Sequence, residues 1–227
     1  MDIKRLRWTA ATGLLAILVI IAVVLTISSS TSHQATGTKQ PSADNQAQAC
    51  PASSSSDAIP TAPPADLRWK NVGPMLVPTS ATAGPMRYQG SVWECYAHSP
   101  MGAVIAAYDI FASLASPDWR TAAEHEIAPG PGEQAFIAAG NSQTYQAPAP
   151  GQIAPAVGFE ILSYTPQQAT IEALASAGDG YQADERTVAW VNGDWKMVLT
   201  PDGKPGPDTQ LVTSADGFVL WGSASNG

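Results

Sequence analysis

The stretch CYAHSPMGAVIAAYDIFASLA, residues 95–115, restricts the fold more than any other part of the chain. Ser99 can cap a helix through its hydroxyl, and Pro100 at the first helical position gives up no needed hydrogen bond. From there Met101, Val104, Ile105, Tyr108, Phe111, Ala112 and Ala115 recur at helical spacing. The opposite face (Gly102, Ala103, Ala106, Ala107 and Ile110) is small and mostly apolar too. A helix that is apolar nearly all round must be covered on every side. Its alanines let the covering layer come close.

The cover is encoded downstream. SPDWRTAAEHEIA repeats the start signal, with Ser116 as cap, Pro117 first and Asp118 in the first turn, and a third short helix spans Glu133–Ala139. Strand-like runs follow: AVGFEILSY, QATIEALAS beyond a Thr165–Pro166 turn, ERTVAWV and DWKMVL, and GFVLWGSA near the end. Asn192–Gly193 between two such runs is a hairpin signal. Helices followed by antiparallel strands make an α+β pattern. The expected architecture is a long helix lying in the concave face of a curved antiparallel sheet. Ahead of the helix, Trp69, Met75, Leu76, Val77, Tyr88 and Trp93 are interrupted by Gly and Pro, which predicts an extended arm with a short edge strand near Met75–Val77.

The N-terminus is of another kind. Thr9–Ile27 is nineteen residues without a charge, and roughly twenty helical residues cross a hydrocarbon core of about 30 Å. A cleaved signal peptide is the rival reading, but its apolar region is usually about 7–15 residues and no Ala-x-Ala site lies close behind this one. An uncleaved anchor is therefore expected. Lys4, Arg5 and Arg7 precede the span and the next basic residue is Lys39, so the N-terminus is placed inside and the rest outside. The expected plan is a cytoplasmic tail over 1–8, a membrane helix over 9–27, a linker over 28–66, an extracytoplasmic domain over 67–221 and a flexible tail over 222–227. The linker is Ser, Thr, Ala, Gln and Pro with little to bury. As a flexible coil it would span about 35 Å. The outer domain is long enough for one core.

With Asp2, Lys4, Arg5 and Arg7 set aside, 8 of the 11 basic and 18 of the 19 acidic residues lie outside, a net charge of −10. Such a domain does not bind nucleic acid directly, because that demands Lys and Arg against phosphate. Cys50 and Cys95 are the chain's two cysteines, both on the outer side. An even count in an oxidising compartment favours a bridge over two unrelated thiols.

Chemistry is weakly signalled. Cys95 and His98 could form a nucleophile and base, but both precede the helix, a disulfide would silence the thiol, and no third member stands out. His33, His98 and His125 show no metal-ligand spacing, and Glu124 and Glu126 flank His125 on different sides of a helix, which reads as a solvated face. No cofactor and no metal are expected. Asp109 interrupts the apolar helix and is the candidate polar group of a pocket, where burial would suit it to proton abstraction. The reading preferred here is a narrow exposed edge formed by Asp109 and Ser113 at i and i+4. Gly-rich phosphate loops, nucleophile elbows and Cys-x-x-Cys motifs are lacking.

WKNVGPMLVPTSATAGP, CYAHSPMGAVIAAYDI and VAWVNGDWKMVL together resemble actinobacterial membrane-anchored proteins of conjugative and integrative elements. The resemblance covers Trp69 to Trp221 and rests on Trp69, Pro78–Ser80, Gly84–Pro85 and Ser99–Val104. Helices before sheet and the Gly-Asp-Trp-Lys hairpin are similar to the nuclear-transport-factor-2-like, or cystatin-like, fold. A single span before that fold is the layout of VirB-type inner-membrane scaffold proteins of type IV secretion systems. The resemblance implies an assembly role in DNA transfer without catalysis, with other envelope or secretion proteins, or further copies of the chain, as partners. Trp69, Trp93, Trp190, Trp195 and Trp221 are the candidate interface aromatics. Filling of the interior by Met101, Ile105, Tyr108 and Phe111 favours this scaffold over the alternative, a tethered enzyme or small-molecule binder using the concave pocket.

The orientation is directly testable. Protease added to intact protoplasts should cut the linker and release a fragment beginning beyond Ser28; full protection of residues 67–227 would reverse it.

Overall fold

The computed structural model describes Cys50, residues 56–149 and residues 152–222. The expected membrane span and most of the linker lie outside the described residues, among which no helix is long and apolar enough to cross a membrane. The described residues belong to a unit that begins at Ala47.

The buried-helix reading holds. Helix α1 spans Pro100–Leu114, with Ser99 as N-cap accepting from the Gly102 amide at 3.1 Å and Pro100 in the first turn. Met101 and Phe111 are half-buried, and every other residue of α1 is buried. Two elements precede it as antiparallel hairpins: β1 (Arg68–Val72) with β2 (Met75–Thr79), and β3 (Arg87–Gln89) with β4 (Val92–Glu94). The predicted arm is thus more regular than its Gly and Pro content suggested. Gly73, at φ 52, turns the first hairpin. Pro78 sits in β2 without breaking a larger ladder because that sheet has two strands.

Helices α2 (Trp119–Glu126) and α3 (Pro131–Asn141) follow. Helix α2 starts later than the sequence suggested, with Asp118 rather than Ser116 at its N-cap. Ser116 is consumed by packing: it is buried in the turn leaving α1, its amide bonds the Ser113 carbonyl at 3.1 Å, and a Cβ at Gly73 would lie 3.1 Å from its own.

A six-stranded sheet then forms from β5 (Ala156–Thr165), β6 (Gln168–Ala177), β7 (Gly180–Val191), β8 (Asp194–Val198), β9 (Gln210–Val212) and β10 (Val219–Leu220), in the order β10-β5-β6-β7-β8 with β9 also on β7. The pairings are antiparallel. Asn192 (φ 53) and Gly193 (φ 85) turn β7 into β8, the double positive φ that an Asn-Gly hairpin requires. Two differences are short strands: β9 carries no alternating pattern to reveal it, and the last strand is confined to two residues. The free edge of β8 is met by the chain after α2, where the Ala128 amide bonds the Met197 carbonyl at 2.8 Å.

Residues 56–66, expected in the linker, join the fold at their end. Asp66 accepts from the Ser80 hydroxyl at 2.7 Å and the Thr82 amide at 3.0 Å, and these contacts hold its carboxyl below its ordinary pKa against a burial effect that raises it. Cys50 is joined to Cys95, 45 residues on, by a disulfide. Closing such a loop restricts the unfolded chain by on the order of 4 kcal/mol.

Gly102 shows how closely α1 is approached. A Cβ there would lie 2.0 Å from the Ala97 carbonyl oxygen. Gly102→Ala should therefore destabilise the fold by about 2 kcal/mol or more despite the better helix propensity of alanine. A thermal midpoint equal to or above wild type would show that the approach is not tight.

Candidate functional site

Three acids are buried around the segment that leads into α1. Glu126 extends from α2 on the same side as Ala122 and Ala123, and its Oε1 accepts from the Trp93 amide at 2.6 Å. Asp194, just after the Asn192–Gly193 turn, accepts from the amides of Cys95 (2.7 Å), Tyr96 (3.0 Å) and Trp195 (2.9 Å). Asp109, on α1, accepts from the Tyr96 hydroxyl at 3.4 Å. Asp109 Oδ1 and Glu126 Oε2 have no hydrogen-bond partner among the described residues.

These carboxyls are shifted by desolvation. Burial raises Asp109 well above the carboxylate range, and the neighbouring Glu126 raises it further, against smaller lowering effects of Tyr96 and Lys70. Glu126 is pushed up to about 8 by burial, against the lowering effects of the Trp93 amide and Lys196. Asp194 is raised by burial more than its amide donors and Lys196 lower it. The hydroxyl of Tyr96 is raised well above its usual value by burial and then by the three carboxyls around it.

Two sequence expectations are corrected here. Asp109 and Ser113 do not form an exposed edge, since both are fully buried where α1 is covered by the preceding segment. Nor is His125 the centre of a wholly solvated face: His125 and Glu124 are exposed, but Glu126 is 1% exposed and holds Trp93.

The opposite flank of α1 borders a groove in two adjoining lobes. The first, of about 480 Å³, lies between β2, β6 and the segment before β5, with Trp69, Met75, Leu76, Val77, Tyr108, Ile153 and Leu174 in its walls. The second, of about 380 Å³, continues past Phe111 to Asp184, Glu185, Lys204 and Asp208. Arg186 lines both. It is 5% exposed, its Nε bonds Asp184 Oδ2 at 2.6 Å, its Nη1 reaches the Ala107 carbonyl at 3.4 Å, and its guanidinium lies 3.8 Å from the Phe111 ring centre and 5.0 Å from that of Tyr108. Tyr108 donates its hydroxyl to the Gly158 carbonyl, and burial pushes that hydroxyl up to about 12 despite the lowering effect of Arg186. The first lobe can bind and orient apolar matter beside one neutralised cation.

Asp109 borders neither lobe, so the pocket and the residue proposed for it are separate. Of the candidate interface aromatics, Trp93 (7% exposed), Trp195 (0%) and Trp221 (2%) are core residues instead. Trp93 ends the arm and Trp195 and Trp221 lie at strand ends, positions that suggest surface, but the core closes over all three. Trp195 donates Nε1 to the Ala97 carbonyl at 2.9 Å. Trp221 packs between Trp69, Tyr108 and Phe159. Trp69 and Trp190 are half-buried, and Trp190 stacks on His98 with ring centres 4.0 Å apart. The His98 Nε2 is 2.5 Å from the Pro166 carbonyl. Cys50 and Cys95 are paired. Among the described residues, no group of three or more His, Cys, Asp and Glu is placed to hold a metal ion.

Glu126, Asp194 and Arg186 were missed, although two carried a signal. Arg186 falls at the same parity as buried Val188 in β7, a charge on an apolar face. Glu126 follows Ala122 and Ala123 at helical spacing. Asp194 looked like an ordinary polar turn residue.

Fold and site define an α+β domain built around a buried helix, with an acid-lined interior on one flank and an apolar groove on the other. Residues 30–220 match a domain of unknown function, DUF8175, and the chain belongs to that family. No characterised protein and no solved structure matches it.

The raised carboxyl of Glu126 makes stability fall as pH rises. Between its unfolded value, about 4.5, and its folded value, about 8, the native state holds a proton the unfolded chain has lost. One such proton costs about 1.4 kcal/mol per pH unit across that window. The thermal midpoint should drop from pH 5 towards pH 9, and Glu126→Gln, which keeps an acceptor for Trp93, should flatten the drop. An equal slope in both proteins would show that Glu126 does not titrate as argued.

Proposed function

We propose that this chain is a single-pass membrane protein whose outer domain is a non-enzymatic assembly component of a conjugation or type IV secretion-like apparatus. The Cys50–Cys95 bridge carries this reading. A disulfide of this kind persists in oxidising compartments, and the Lys4, Arg5 and Arg7 cluster ahead of Thr9–Ile27 predicts the same side for the domain. The bridge also ties the end of the tether to the entrance of α1, so a pull on the tether acts on the folded core. Contact of α1 with β5 to β8 supports a nuclear-transport-factor-2-like arrangement in which the helix fills the hollow of the sheet. The buried acids hold backbone amides (Glu126 and Asp194) or lie away from the groove (Asp109). Partners are other envelope proteins, and the acidic outer domain does not contact nucleic acid directly.

A second reading, a tethered small-molecule binder, is favoured by the mostly apolar lobe of about 480 Å³, a volume within the ordinary range of ligand sites.

A mating assay at matched expression tests the first. Deleting Thr9–Ile27 should lower transfer by on the order of a hundredfold, because the tether that sets local concentration is gone. Asp109→Asn should transfer normally. Wild-type transfer from cells lacking the protein would end the assembly reading, and loss of transfer in a normally folded Asp109→Asn protein would point to chemistry at that acid.

A further inference from the structure

The first lobe of the groove holds one polar group in a setting that selects what can bind there. Arg186 pairs in register with Ile171, and both are buried on the face of the sheet that α1 covers. The guanidinium is fixed on three sides. Its Nε donates to Asp184 Oδ2 at 2.6 Å, its Nη1 donates to the Ala107 carbonyl at 3.4 Å, and the Phe111 ring centre lies 3.8 Å away. Nη2 makes no hydrogen bond among the described residues, so its N–H groups are left to donate. A donor already fixed in place costs a guest no side-chain ordering.

The rest of the lobe sharpens the selection. Arg186 is the charged residue in its walls, and the other polar side chains there are Trp69, also a donor, and Tyr108, whose hydroxyl proton goes to the Gly158 carbonyl. Asp184 borders the second lobe and not the first. Leu76 lines the first lobe and is 41% exposed, so the lobe opens to solvent there. Three kinds of guest are thereby told apart. A pure hydrocarbon would gain apolar contact but leave Nη2 covered and without a partner. A carboxylate would meet a guanidinium that Asp184 already neutralises, and its own charge would go unbalanced out of water. An uncharged molecule with an acceptor pairs Nη2 and brings no charge.

We propose that the first lobe binds a compact, uncharged, apolar molecule whose carbonyl or equivalent acceptor is received by Arg186 Nη2. The proposal rests on the small-molecule binder reading above and does not depend on the assembly role. A lobe of about 480 Å³ has the capacity for such a guest. Trp69 and Tyr108 give it aromatic wall.

The test uses the full chain in phosphatidylcholine nanodiscs, with carbon-13 in its methionine methyl groups. Met75 lines the lobe, so its methyl signal reports a guest there, and Met75→Leu assigns that signal. Three probes share one skeleton: 2-acetylnaphthalene, 2-ethylnaphthalene and 2-naphthoate. Each is titrated at neutral pH, with its free concentration fixed by dialysis against empty discs. The ketone should bind about tenfold more tightly than the hydrocarbon or the carboxylate. Ala175→Leu, at a half-buried position in the wall, should weaken all three. In a protein carrying Arg186→Met and Asp184→Asn together, ketone and hydrocarbon should bind alike. Should that protein not fold, the three-probe comparison on the unmodified chain decides the ligand class by itself. Equal binding of ketone and hydrocarbon, tighter binding of the carboxylate, or a ketone preference that survives without Arg186 would each overturn the class and leave a binding site. A Met75 signal unmoved by all three probes would remove the site, and the binder reading with it.

Discussion

Two buried carboxyl groups hold the chain where it enters the central helix, and the rest of the domain is arranged around that grip. Glu126 takes the amide of Trp93 and Asp194 takes those of Cys95 and Tyr96. Trp93 lies in β4, whose one strand neighbour is β3, while Cys95 and Tyr96 lie beyond β4 without a strand partner, and Cys95 sits at φ 67, where ladder pairing is not available. Leaving them unpaired in the interior would cost more than any one side-chain contact returns. Because one acid comes from α2 and the other from the β7–β8 hairpin, the same bonds join the helices, the sheet and the entrance of α1. The Ala97 carbonyl, bonded by Trp195 Nε1, completes the hold.

That solution concentrates acid in the interior. Asp109 lies within the field of Glu126, and the folded state responds by keeping protons that water would remove. Neutral carboxylic acid is the cheaper buried form. Lys196 and Lys70 temper the effect without cancelling it. The consequence is a core whose stability leans towards acid, the reverse of a protein held by carboxylates in exposed salt bridges.

Helix α1 separates two chemistries because adjacent residues point about 100° apart. Asp109 faces Tyr96 and the acid side. Tyr108, one residue earlier, faces Gly158, Trp221 and the Arg186 guanidinium. The groove therefore inherits a cation already matched to Asp184 and braced by Phe111. The Cys50–Cys95 bridge meets the acid side, at the amide that Asp194 holds.

Residues 95–115 by themselves determined that a helix would be buried all round, with Ser99 and Pro100 at its start, because apolar periodicity and capping are local properties. Asn192–Gly193 likewise determined a hairpin through its tolerance of positive φ. The order of helices before antiparallel strands was legible for the same reason, and so was the pairing of two cysteines where only two exist. Tertiary structure alone decided which polar residues went inside. Asp109 and Ser113 at i and i+4 describe a stripe, and only the segment folded over that stripe makes it interior. Trp93, Trp195 and Trp221 became core, and Glu126 and Asp194 became amide acceptors, through partners roughly thirty to a hundred and fifty residues distant in the chain. No local pattern carries such a pairing, since burial belongs to the layer that arrives from elsewhere and not to the residue it covers.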